Sequence, residues 1–276
     1  MPVPVHPVLT VDVEDWFHLC GHPRYGDPAT WDGRPSRVEA GVDRILALLA
    51  PTRSRATFFV LGWVARKAPD VVRRIRDAGH EVGCHGDLHR RIFELTPEAF
   101  RTDLVRSRDT LQDLLGVRVT SYRAPEWSMR TPDSPALSIL VEEGFAIDSS
   151  LVDAPPLGVT GNPTRPVVIR TASGPILEVP PLTGTFFLRR ALWGGGVCSR
   201  MTRFSRVNAA VERSLAEGIP PVLYCHPWEF DDNHPPMRGL SVVERLVKFA
   251  GRRRTEERLK VWLSRHDFAP ISSVAA

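Results

Sequence analysis

A repeated local pattern constrains this chain more than any other feature: short apolar runs rich in β-branched residues end in polar groups, and stretches with helical spacing follow them. The run VLTVDV at 8–13 opens the series and leads into the acids of Asp12-Val13-Glu14-Asp15. Further strands are expected at 56–61, 81–84, 119–122, 145–148 and 221–225. Between the first two, Ser36 and Glu39 have capping-box spacing, and Val38, Val42, Ile45, Leu46 and Leu49 recur with the helical period. Helices are likewise expected at 71–78, closed by Gly79, at 135–143 and at 208–217. Thr96-Pro97 starts a long one that buries Leu104, Leu111, Leu114 and Leu115. Such alternation predicts a parallel sheet with helices outside it. Polar residues follow the first, third, fourth, fifth and last strands. A (β/α) barrel opens all those ends onto one face, whereas an open sheet concentrates its polar groups at one crevice. The pattern therefore predicts an α/β, TIM-like barrel.

The regular alternation loosens at about 154–200. This stretch is proline-rich, with one expected strand at 176–179 and the run Gly194-Gly195-Gly196, and reads as an irregular insertion over the site. Two helices, at 242–250 and 256–264, are expected within about 241–265. Residues 1–276, 42% of them hydrophobic, are enough to bury a large core and are read as one domain.

The net charge of +4 rests on arginine, since Lys67, Lys248 and Lys260 are the only lysines. Only Arg252-Arg253-Arg254 form a run, which reads as the solvated face of an outer helix, so nucleic-acid binding is not expected. The helix at 251–265 is the expected place for any peripheral contact with an anionic membrane surface. The opening MPVPVHPVLT has no basic start followed by an apolar run, and no stretch reaches membrane-spanning length. Cys20, Cys84, Cys198 and Cys225 share no close spacing. These features together lead to the expectation of a cytoplasmic protein, acting on its substrate before export and in places at the inner face of the membrane.

Five segments set polar groups just after a strand: LTVDVEDW, GCHGDLH, YRAPEW, AIDSS and LYCHPWEF. In the second, His85 and His89 are spaced to grip one cation, and Gly86 lets the backbone bend between them. Two surface histidines in a loop would look the same, so a third ligand is needed. Residues two apart on a strand point the same way, which puts Asp12 and Glu14 on the barrel interior and Val13 and Asp15 toward the helices. Two interior carboxylates imply two roles, one as ligand and one as base. Arg123, stiffened by Ala124-Pro125, is placed to pair with Asp12. His226, at the end of an apolar strand, suits a general acid if a carboxylate such as Asp148 supports its charged form. Cys84 and Cys225 read as buried packing residues, and Phe58, Phe59 and Trp63 as core. Trp127 and Trp228 sit in proposed site loops, where a flat ring can stack on a sugar.

These residues, in this order, resemble the NodB-homology polysaccharide deacetylases, also called family four carbohydrate esterases. VDVEDW, RAPEWS, IDSS and YCHPWEF look most like the branch associated with exosortase and exopolysaccharide gene clusters. The resemblance implies a distorted barrel of seven or eight strands and one divalent ion, zinc foremost, with cobalt(II) or another ion able to substitute. It implies hydrolysis of N-acetyl groups on an acetylated amino-sugar polymer or lipid-linked oligosaccharide. Carried over by motif, Asp12 is the base, His85 and His89 are ligands, Arg123 partners the base, and His226 is the acid. Trp127 and Pro125 then help wall the acetyl pocket. Val13 stands where most relatives have a second aspartate, which moves the ligand to Glu14, by strand alternation, or else to Asp15. Tyr224 replaces an aliphatic residue and either narrows the acetyl pocket or adds a hydroxyl to it. Rival readings are a cyclic imide or ureide amidohydrolase on the same barrel, and a non-catalytic carbohydrate-binding relative.

Overall fold

All six residues of the first strand, β1 (Val8–Val13), are buried, as a strand covered on both faces requires. The computed structural model describes residues 5–233 and 235–275. From β1 the chain runs through α1 (Val38–Leu49), β2 (Ala56–Val60), α2 (Gly62–Lys67), α3 (Pro69–Asp77), β3 (Glu81–Cys84) and the long α4 (Pro97–Leu115). Next come β4 (Ser121–Tyr122), α5 (Pro135–Glu142) and β5 (Ile147–Asp148). Two hairpins follow, β6 (Val167–Thr171) with β7 (Gly174–Glu178) and β8 (Thr183–Phe186) with β9 (Arg189–Leu192). Then come α6 (Gly196–Met201), α7 (Phe204–Ala216), β10 (Val222–Cys225), α8 (Val242–Phe249) and α9 (Arg254–Leu263).

Eight strands form one sheet in the order β10-β1-β2-β3-β4-β5-β7-β6, parallel except for the final hairpin. Its curvature follows from one contact. Arg123, just past β4, hydrogen-bonds to Thr10 and Asp12 on β1, three strands away, a span of roughly 14 Å in a flat sheet. The sheet therefore curls into a distorted, incomplete barrel. Segments flanking the second hairpin lie along the outer edge of β10, where Leu182 N–H donates to Val222 O and Tyr224 N–H to Gly194 O. A side chain on Gly195 would collide with the Tyr224 carbonyl, so this close approach needs glycine. The stretch expected to be irregular thus contains both hairpins, and it serves as the barrel's closing wall.

Two local expectations need correction. Ser36 and Glu39 do not form a capping box. Helix α1 begins after Arg37, and Asp15 reaches over to accept from Ser36 Oγ (2.5 Å) and from the backbone N–H of Arg37 (3.0 Å) and Val38 (3.4 Å). The strands expected at 119–122 and 145–148 shrink to two residues each, because only their ends pair with neighbours. Thr96 caps α4 as expected, accepting from Ala99 N–H at 3.2 Å. No helix among the described residues is long and apolar enough to cross a membrane.

Helix α1 is pressed onto the turn that carries the last polar segment. A Cβ built on Gly41 would collide with the Pro227 carbonyl, one residue after His226. Gly41→Ala is therefore expected to destabilise the chain by about 1–3 kcal/mol, although alanine is the better helix former. Urea unfolding monitored by circular dichroism reads this directly.

Candidate active site

The guanidinium of Arg123 is the centre of the strand-end face. It is fully buried, and it donates to Asp12 Oδ1 (2.8 Å), Thr10 Oγ1 (2.7 Å), the Ser149 carbonyl (3.1 Å) and Ser149 Oγ (2.9 Å). The rings of Phe59 and Trp127 lie 4.5 and 4.6 Å from it. The charge is thus paired, bonded and π-stacked, the conditions under which a buried arginine is tolerated.

The backbone of Arg123 serves a second group, since its carbonyl accepts from His85 Nδ1 at 2.8 Å. That bond puts the ring proton on Nδ1 and leaves the lone pair on Nε2. His89 is set similarly: the Cys20 thiol donates to the His89 carbonyl (3.0 Å) and lies 3.3 Å from its Nδ1, leaving Nε2 to face Glu14 at 2.6 Å. The turn between the two histidines is rigid. Asp103 accepts from the N–H groups of Asp87 (2.6 Å) and Leu88 (3.1 Å), and Gly86 has a φ of 78°, a conformation suited to glycine. Glu14, His85 and His89 bring ligand atoms within 4.8 Å of one another. Burial opposes charge on Glu14, but His89 outweighs it and holds the carboxyl well below its usual range. Burial pushes His85 down to about 4, keeping it neutral and able to donate its lone pair.

Asp15, the alternative ligand, is engaged elsewhere, capping α1 and taking Trp16 N–H at 2.9 Å. Glu14 follows the last residue of β1 yet lines the same cavity as Asp12, as alternation predicted. Its carboxylate is further fixed by Trp228 Nε1–H, at 3.0 Å from Oε1.

His226 Nε2 lies 4.0 Å from Glu14, on the same cavity. Its Nδ1 contacts Glu229 Oε2 at 3.1 Å, so the supporting carboxylate is Glu229 and not Asp148. Burial works against the charged ring, but Glu229 and Glu14 outweigh it and raise the His226 pKa. Glu229 is anchored by Arg200 and held down to about 2 against its own burial. Asp148 sits deeper. It accepts from Ser150 Oγ (2.5 Å) and lies beside Glu178, another fully buried carboxyl, on the neighbouring strand β7. Burial lifts Asp148 to about 6, and burial and the Asp148 charge lift Glu178 further.

Around these groups is a cavity of about 310 Å³. Trp127 and Tyr224 meet edge to face at 5.1 Å and wall one side, whereas Pro125, expected to share that wall, does not line the cavity; the Tyr224 ring also touches His226 at 5.7 Å. Glu126 and Trp127 both adopt left-handed backbone (φ 50° and 57°), strain of the kind that gathers at functional loops. Trp228 is not a free platform: His226 stacks on it at 5.1 Å and Lys248 Nζ lies 3.8 Å from its ring centre. Lys248, from α8, is buried, and burial lowers it to about 8.

Residues 29–134 match the polysaccharide deacetylase family, and residues 149–276 match a domain of unknown function, DUF3473. The first segment thus carries a polysaccharide deacetylase domain. The peptidoglycan deacetylase of Helicobacter pylori is 32% identical over 114 residues, covering 41% of this chain and 38% of that protein. The chain spans about half or less of the length of the curated relatives it matches. A solved structure from Mycobacterium smegmatis, assigned as a polysaccharide deacetylase, aligns with a TM-score of 0.67 at 23% identity, over 100% of this chain and 91% of that one. The structure of Puue allantoinase aligns at 0.61 and 20% identity, over 100% and 91%. At these identities the two structures share the fold. The polysaccharide deacetylase segment holds His85, His89 and Arg123; Asp12 and Glu14 precede it, and His226, Glu229 and Lys248 come from the second segment.

Sequence reasoning missed Glu229, Cys20, His18 and Lys248. Glu229 had a signal, three residues after His226 in one turn. Lys248 had none, because a lysine in an amphipathic helix reads as solvent-facing.

The Asp148–Glu178 pair has raised carboxyl pKa values in the fold. Its contribution to stability is complete below the unfolded carboxyl pKa of about 4 and is lost as pH rises, through about 6 for Asp148 and beyond that for Glu178. Between pH 5 and pH 8, Glu178→Gln should lose less unfolding free energy than the unsubstituted chain, the difference being on the order of 2–3 kcal/mol in denaturant titrations.

Proposed function

We propose that this polysaccharide deacetylase relative is a metal-dependent hydrolase of N-acetyl groups on an amino-sugar polymer, with a role in exopolysaccharide metabolism. One observation carries the reading: Glu14, His85 and His89 converge with both rings held at Nδ1 and the Nε2 of His89 against Glu14, while Asp12, on the same cavity, is paired with Arg123. Two imidazoles, one carboxylate and an open side fit the donor set of a catalytic zinc, which would displace the proton that Cys20 and Glu14 favour on His89 against its burial. Arg123 O on His85, Cys20 on His89 and Trp228 Nε1–H on Glu14 fix the orientation of the three side chains. The family and the relatives' substrates support the polymer. The exopolysaccharide role rests on the motif likeness to that branch, extended by the match of the second half to DUF3473.

Glu14, His85 and His89 would hold a divalent cation such as zinc, which would supply Lewis acidity toward an amide carbonyl and a water. Asp12, oriented by Arg123, accepts a proton from the attacking water. His226, kept protonated by Glu229 and Glu14, donates a proton to the departing nitrogen as the C–N bond breaks, giving acetate and a free amine. Trp127 and Tyr224 exclude water from the acetyl end of the cavity.

Asp12→Asn should abolish acetate release from acetylated amino-sugar oligomers while metal content, read by elemental analysis, stays intact; loss of metal would make Asp12 a ligand. His85→Ala should lose both. Hydrolysis of a cyclic ureide in place of the oligomers would favour the rival amidohydrolase. Glu229→Gln removes a partner that raises the His226 pKa, so the alkaline limb of kcat/KM should move to lower pH.

A further inference from the structure

Helix α8 is turned inside out. Val242, Val243, Leu246 and Val247 are 76, 68, 56 and 50% exposed, while Lys248 in the same helix is 4% exposed. Its Nζ rests on the Trp228 ring and has no hydrogen-bond partner. Lysine ordinarily extends its charge to water, and burying an ammonium without an acceptor is costly. A second donor is stranded in the same cavity. His18 is 1% exposed, and its Nδ1 accepts the Asp15 N–H at 2.9 Å, which places the proton of the neutral ring on Nε2. That Nε2 is likewise without a partner. Lys248 and His18 both line the cavity of Asp12, Glu14 and His226, and neither has a role in the hydrolysis described above.

Two buried donors, one of them charged, call for an occupant that only accepts hydrogen bonds and carries negative charge. An ionised carboxylate offers two such oxygens and one charge. The neighbouring cation, Arg200, is already committed to Glu229 and the Val247 carbonyl, so a phosphate dianion would leave charge uncompensated beside Glu14. We propose that Lys248 and His18 form a subsite for the carboxylate of an acidic sugar, so that the polymer this chain takes carries a uronic-acid type residue at or next to its acetamido sugar. This inference rests on the cavity being a saccharide site.

The test is calorimetric titration of the full chain, with zinc in the buffer, against an oligosaccharide of alternating glucuronate and N-acetylglucosamine and against its carboxyl-reduced, neutral counterpart. The carboxylated form should bind about tenfold or more tightly. Lys248→Met should bring the ratio near one, and Lys248→Arg should keep most of it. Equal binding of the two sugars by the unsubstituted chain would overturn the proposal. So would a preference retained in a Lys248→Met variant of native circular dichroism and Tm, or tighter binding of a sugar phosphate than of the carboxylate. Binding needs no turnover. A carboxylate preference without acetate release would sink the deacetylase reading and leave the subsite standing; acetate release at equal KM from both sugars would do the reverse.

Discussion

Everything at the strand-end face hangs on one buried charge. Arg123 brings a full positive charge into a fully buried position, and three strand ends are organised to receive it: Asp12 and Thr10 from β1, Ser149 beyond β5, and the ring of Phe59 on β2. Removing one partner of such a pair commonly costs about 3–5 kcal/mol, because the other is left buried and uncompensated. The curl of the sheet and the position of Asp12 are therefore linked, since Arg123 bridges them. Its carbonyl extends the link to His85, so a carboxylate and a proposed ligand are registered to one another through a single residue.

Much of this was legible from periodicity. Strand ends at Val13, Cys84 and Cys225 were readable because buried parallel strands are apolar until they stop, and chemistry begins at the stop. The two-residue repeat also separated Glu14 from Asp15. It placed Asp15 on the helix side, where the structure has it capping α1. Motif order then gave the family and the distorted barrel.

What was not legible depended on distances between residues remote in sequence. The AIDSS segment placed Asp148 at a strand end like the others, but nothing local reveals that its neighbour across the sheet is Glu178, which takes it as a partner and keeps it from His226. Trp228 had the composition of a sugar platform, yet its edge holds Glu14 and its ring is already in contact with His226 and Lys248. The hairpins between β5 and α6 were obscured by proline and glycine, which mark turns well and short twisted strands poorly.

The central place of β1 also has a history in time. Its first neighbour, β2, follows within fifty residues, but its other edge is covered by β10, with Val8 beside Val222. At ribosomal speeds the intervening chain takes roughly 10–40 s to emerge. Throughout that interval the strand bearing Asp12 presents an open row of backbone donors and acceptors to whatever lies nearby. A nascent chain of this kind has a long exposure to mispairing, and its yield in the cell should depend on chaperones that shield the first strand until the last one arrives.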